Sequence, residues 1–150
     1  FTEVFMKTKT TLITAVLSLG ILLAGCNSKD NFENYKEEVT DLYDSIAIAN
    51  VKLNGLETYS EESQTVFFET LTDLKQSFKD FSETEAPEEF SECTDWAQNA
   101  YESLSVSEQL FHDALDDEFD QDCFDKAVDN YNNVITYVNY IGLILEQKSN

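Results

Sequence analysis

This sequence predicts an all-α fold, an up-and-down antiparallel four-helix bundle, and three observations carry the prediction. Apolar residues recur at alternating steps of three and four along four long stretches, the spacing that lays one stripe along a helix. Beyond Gly25 only Gly55, Gly142 and Pro87 stand ready to interrupt helices. No stretch alternates apolar and polar residues with period two for long enough to argue for a sheet.

The first stripe passes through Tyr35, Val39, Leu42, Ile46, Ala49 and Leu53. Asn54-Gly55 closes it, because glycine accepts the left-handed conformation that ends helices. The second stripe is Phe67, Leu71, Leu74, Phe78 and Phe81. Ser60 is placed to cap it, and the charges of Glu61 and Glu62 suit a helix N-terminus. The third is Phe90, Cys93, Ala97, Ala100, Leu104, Phe111 and Ala114, with Pro87 in its first turn beside Glu88 and Glu89. Ser107 interrupts that stripe, and Ser105-Val106-Ser107-Glu108 reads as a capping box that could divide the helix. A continuous third helix is the expectation.

The fourth stripe is Phe124, Val128, Tyr131, Ile135, Val138 and Leu145, with Gly142 in line and Asp120 or Asp122 as the cap. Short connections between the four make successive helices antiparallel neighbours. This last helix carries no charge from Asn130 to Leu145. Ala127, Val134 and Ile141 widen its apolar face, and Tyr137, Tyr140 and Ile144 add a further stripe. A helix apolar nearly all round belongs at the centre of a bundle. The competing reading makes Tyr137, Tyr140 and Ile144 a surface for a protein partner or for a homo-oligomer, since tyrosine is enriched at contacts.

Ahead of the helices lies a different kind of segment. Met6 is the only methionine, Lys7 and Lys9 follow it, and TLITAVLSLGILLAG then runs without a charge. A short basic region, an apolar run shorter than a membrane span and small residues at its end make a signal peptide, expected over residues 6–25. Residues 1–5 precede that methionine and read as an upstream extension. Leu23-Ala24-Gly25-Cys26 resembles the lipobox of bacterial lipoproteins, an aliphatic residue and two small ones before a cysteine. The resemblance implies cleavage between Gly25 and Cys26 and a diacylglyceryl thioether on the Cys26 sulfur. Several acyl chains anchor stably where a single one does not. Residues 26–31 then form a lipidated tether and residues 32–150 an acidic helical bundle, of a size that suits one domain.

Composition narrows the function. Acidic residues number 30 against 9 basic ones, for a formal net charge of −21, and every basic residue is a lysine. Such a surface excludes nucleic acid, which needs clustered lysine or arginine. It is also repelled by anionic headgroups. A partner is therefore expected to be cationic or apolar. The absence of arginine, with liberal asparagine and lysine, points to a Gram-positive source.

With Cys26 lipidated, Cys93 and Cys123 remain as an even pair in an oxidising compartment. Their places near the starts of two antiparallel helices put them at opposite ends of the bundle, beyond the ~7 Å that a disulfide spans. Two free, buried thiols are expected. From Asp113 to Asp125 seven carboxylates crowd together with no lysine among them. Glu118, Asp120 and Asp122 are the weak candidates for a divalent cation, but the EF-hand pattern fails. Counted from Glu118 the sixth residue is Cys123 and not glycine, although Asp129 falls at the twelfth.

Catalysis finds no constellation. His112 is the only histidine, with no nucleophile motif beside it. Di-iron bundles need two Glu-x-x-His pairs, and the residue three before His112 is Gln109. No cofactor is expected beyond the covalent lipid. The sequence therefore predicts a non-catalytic interaction module of the cell envelope, lipid-anchored on the outer face of the cell membrane. A protective lipoprotein, acting against phage, plasmid transfer or a cationic peptide, is the alternative. A divalent-cation-binding bundle is the second alternative.

Overall fold

The computed structural model describes residues 29–56, 60–116 and 118–149. Cys26, Gly25 and the expected signal peptide lie outside them. Four helices account for most of the described chain: α1 (Lys29–Gly55), α2 (Glu61–Ser82), α3 (Ser91–Leu115) and α4 (Gln121–Ser149). Among the described residues there is no strand. The protein is an all-α four-helix bundle.

Ring contacts fix the directions of the helices. Tyr35, early in α1, lies 5.7 Å from Phe81 at the end of α2 and 5.5 Å from Phe90 just before α3. At the other end Phe67 of α2 meets Phe111 of α3 edge-on at 5.0 Å, and Phe111 meets Phe124 of α4 at 5.3 Å. Trp96, early in α3, stacks on Tyr137, late in α4. The helices therefore run up, down, up and down. Aromatic clusters plug both ends, and leucines with small residues fill the middle.

The boundaries follow local chemistry. Ser60 caps α2 by accepting the Ser63 N–H at 3.0 Å. Asp120 caps α4, its Oδ1 accepting the Cys123 N–H at 3.0 Å. Pro87 differs from expectation. It precedes a 3-10 turn, Glu88–Phe90, and α3 starts only at Ser91. The turn swings Phe90 inward, where it is buried against Tyr35. Helix α1 begins at Lys29, within the segment expected as tether.

Helix α3 is continuous through the capping-box sequence. Ser105 donates back to the Tyr101 carbonyl, and Ser107 is fully buried and donates across to the Ala127 carbonyl at 2.8 Å. Glu108 binds Thr72 and Lys75 of α2. All three polar residues of the box are committed elsewhere, so no cap forms. Small residues let α3 and α4 approach closely along their length. Ala97, Ala100, Ser107 and Ala114 are buried on α3, and Ala127 and Gly142 on α4.

Helix α4 is turned relative to its expected stripe. Ala127, Val134 and Ile141 are buried, whereas Val128, Ile135 and Val138 are only partly covered. The small residues draw α4 onto α3, and α1 covers the remaining side loosely. There Tyr43 donates to the Val138 carbonyl at 3.4 Å. A groove of about 30 Å³ lies between Ile46 and Asn50 of α1 and Ile135, Val138 and Asn139 of α4, room for a water or two.

If close approach of α3 and α4 holds the bundle, Ala100→Leu should cost about 1–3 kcal/mol by overpacking. Val106→Ala, on the exposed side of the same helix, should stay within about 0.5 kcal/mol. Urea unfolding reads both, as a shifted midpoint at unchanged slope; equal midpoints for the two variants would refute the packing argument.

Candidate functional site

The candidate surface grows from the same α3–α4 contact. Trp96 sits on the edge of α3 that borders α4, half-buried, with its ring 5.5 Å from Tyr137 at an interplanar angle of 20°. Its other neighbour is Tyr140, at 4.8 Å and 45°. Of the three residues expected to form a partner surface, Tyr140 is 42% exposed, while Tyr137 and Ile144 are half-buried against the core. Leu143, 50% exposed, joins Tyr140 on the outer side of α4. Trp96 and Leu143 were not singled out by sequence reasoning. Trp96 falls outside the core stripe of α3, and only the packing of α3 on α4 shows that it meets the tyrosines.

This patch lies on a surface otherwise crowded with carboxylates. On α3 the positions 96, 99, 103, 106 and 110 share one edge, and they hold Trp, Asn, Ser, Val and Leu. On α4 the neighbouring edge holds Asn133, Tyr137, Tyr140 and Ile144. The α3 edge is uncharged from Trp96 to Leu110 and the α4 edge from Asn133 to Ile144, with Glu92 one turn before Trp96 and Asp129 one turn before Asn133. Val106, 48% exposed, is the most exposed large apolar residue of that α3 edge. The arrangement supplies rings with apolar bodies and polar tips, suited to contact and not to bond-making.

A second groove, about 230 Å³, lies between α1 and α2. Its walls hold Glu38, Asp41 and Asp80 with the Ser45 and Ser77 hydroxyls. Both hydroxyls are spent on their own helices, donating to the Asp41 and Asp73 carbonyls. The weak metal candidates are dispersed likewise. Asp120 is engaged as the α4 cap, and the hydrogen bond from the Cys123 backbone holds its carboxyl below the usual carboxylate range. Among the described residues no three metal-ligating side chains come together. His112 is exposed and stacks on Phe68 at 3.7 Å, 8° from parallel.

Cys93 and Cys123 are both free thiols. Cys93 is fully buried, as expected, whereas Cys123 is only partly covered, since it lies in the first turn of α4. Burial pushes the Cys93 thiol up to about 11, despite the nearby Tyr35 hydroxyl. That hydroxyl is itself buried without a hydrogen-bond partner, and burial raises it beyond the usual phenol range. Tyr43 is raised for the same reason, and Tyr131 to about 12. Burial also raises the Cys123 thiol, with Asp120 adding to the effect.

Taken together, the described residues form an acidic four-helix bundle with an aromatic rim along α3 and α4. No family model, curated protein or solved structure matches the chain.

Two measurements probe the thiols. Alkylation at pH 8 should modify Cys123 but spare Cys93 in the folded protein. Unfolding without reductant should release both; a failure to label either would show a disulfide. Alkaline pH offers the second. Cys93 stands above its ordinary 9.0 and Tyr131 above its ordinary 10.0, so folding favours their protonated forms. Their contribution to stability is complete below pH 9 and is lost as pH climbs through about 11 to about 12. The urea midpoint should accordingly fall across that window, and fall less steeply in Cys93→Ala; identical profiles would contradict the assignment.

Proposed function

We propose that the protein is a lipid-anchored, non-catalytic binding module of the bacterial cell envelope, held by Cys26 on the outer face of the membrane. The uncharged α3–α4 seam is the observation that carries the reading. In a chain of net charge −21, the α3 edge from Trp96 to Leu110 and the α4 edge from Asn133 to Ile144 hold no charge, and they present exposed Val106 and Tyr140 with Leu143 beside them, which suits contact. The lipobox-like Leu23-Ala24-Gly25-Cys26 supports the address. The remaining surface is acidic and suits a cationic partner, which its charge would attract over a distance set by ionic strength.

Anchoring has a direct test. Cys26→Ala should leave an uncleaved precursor or release the domain from membranes on fractionation. Normal cleavage with full membrane retention would overturn the lipid anchor. The contact role has its own. Tyr140→Ser with Leu143→Ser should leave the bundle folded with thermal unfolding within about 5 °C of the parent, because two surface changes of ~0.5 kcal/mol each add to ~1 kcal/mol. The same double variant should abolish association through the seam, followed by site-specific photo-crosslinking from position 136 in intact cells. Unchanged crosslinks in the variant would remove the seam from the function.

A further inference from the structure

Helix α1 is held to the bundle differently from the other three. Glu108 of α3 joins Thr72 and Lys75 of α2, and Ser107 of α3 joins the Ala127 carbonyl of α4. Those ties are specific and partly or fully enclosed. Helix α1 instead contributes an apolar stripe, with Tyr35, Val39, Leu42, Ala49 and Leu53 buried. Its polar ties are weak. The Tyr43 hydroxyl reaches the Val138 carbonyl at 3.4 Å, near the limit of a hydrogen bond. Lys52 pairs with Asp73 where both side chains are well exposed.

Two features oppose the seating of α1. Glu38 and Asp41 of α1 and Asp80 of α2 line one groove of about 230 Å³, and among the described residues no lysine lines it. Gln76 holds Asp80 there from its own helix at 2.6 Å. Closure therefore sets like charges on opposite walls of one groove. The second feature is the Tyr35 hydroxyl, which closure buries without a hydrogen-bond partner, near the fully buried Cys93. An open α1 would return that hydroxyl to water.

We propose that α1 is a charge-gated strap, which leaves α2 and α4 as one unit while the other three helices stay packed, and which dissolved cations close by screening Glu38, Asp41 and Asp80. Opening exchanges apolar burial for relief of repulsion and rehydration of Tyr35. Salt sets the balance, because exposed charges are screened over about 10 Å at 0.1 M while apolar burial is not weakened. Opening uncovers the Cys93 thiol and the apolar wall made by Phe78, Phe81 and Tyr131. Helices with few enclosed ties are the ones that leave a fold before it unfolds as a whole.

The chain's net charge of −21 makes global unfolding salt-sensitive in the same direction, so the test separates the two by location. The full chain is purified as a bacterial host processes it. Hydrogen exchange across a urea series, and alkylation extended from minutes to hours, are both read by peptide mass spectrometry. In low salt the α1 amides should exchange as a set, roughly ten-fold or more faster than those at the centre of α3, with a smaller urea slope. Cys93 should label with the α1 free energy, and salt should slow both. Glu38→Gln with Asp41→Asn should slow Cys93 labelling roughly five-fold and flatten its salt response, leaving Cys123 unchanged. Ala100→Leu weakens the α3–α4 contact in the open and closed forms alike. It should speed exchange at the centre of α3 and leave Cys93 labelling as it was. If α1 and the centre of α3 share one free energy and one urea slope, the bundle opens as a whole and the strap is overturned. If neutralising Glu38 and Asp41 changes neither the labelling rate nor its salt response, the charge gate is overturned.

Discussion

The bundle depends on how closely α3 and α4 approach each other. Their facing residues are small, and the Ser107 hydroxyl reaches the Ala127 carbonyl across the gap at 2.8 Å. Side chains the size of leucine at those positions would hold the backbones apart. Two helices in close register form a rigid pair, against which α2 packs next and α1 last. The order of layering explains the gradient in packing. Helix α1 meets α4 through a long Tyr43 hydrogen bond and a shallow groove. Close approach also decides the outer surface. With no room between the backbones, Trp96, Tyr137 and Tyr140 are pushed to the rim, where they stack on one another.

Much of this was legible in the sequence because a helix stripe is a one-dimensional signal. Tyr35, Val39 and Leu42 on α1, and Phe67 through Phe81 on α2, are buried where their spacing puts them. Ser60 and Asp120 cap where their chemistry suits. The differences arise where a partner element decides. The rotation of α4 toward Ala127, Val134 and Ile141 reflects the small residues of α3, which periodicity within α4 cannot register. The 3-10 turn after Pro87 reflects the demand to bury Phe90 against Tyr35. Ser105-Val106-Ser107-Glu108 holds all the local features of a cap, yet Ser107 and Glu108 find better partners on α4 and α2.

The seam shows the same division between local and global information. Its α4 half was visible as an uncharged run with tyrosines at helical spacing. Its α3 half was not, because Trp96, Asn99, Ser103, Val106 and Leu110 look individually like ordinary surface positions. Only juxtaposition turns two unremarkable edges into a neutral face. Tyr137 and Ile144 then serve a different purpose from Tyr140. They are packed against the core and brace the exposed residues, so the exposed part of the stripe is narrower than the tyrosine pattern alone suggested.

Charge gives the neutral face its meaning. With nine lysines and no arginine, few carboxylates can be neutralised by pairing. Two ion pairs link helices among the described residues, Lys52 with Asp73 and Lys75 with Glu108. Lys52 and Asp73 are both well exposed, where such pairs contribute little. Glu108 is largely enclosed and also accepts from Thr72, so its pair ties α2 to α3 specifically. The excess acids repel one another and anything acidic nearby. Such a surface keeps copies of the bundle apart. Uncharged patches are where the molecule can be approached closely without that penalty, and among the described residues they include the α3–α4 rim and the exposed Ile48 and Val51 of α1.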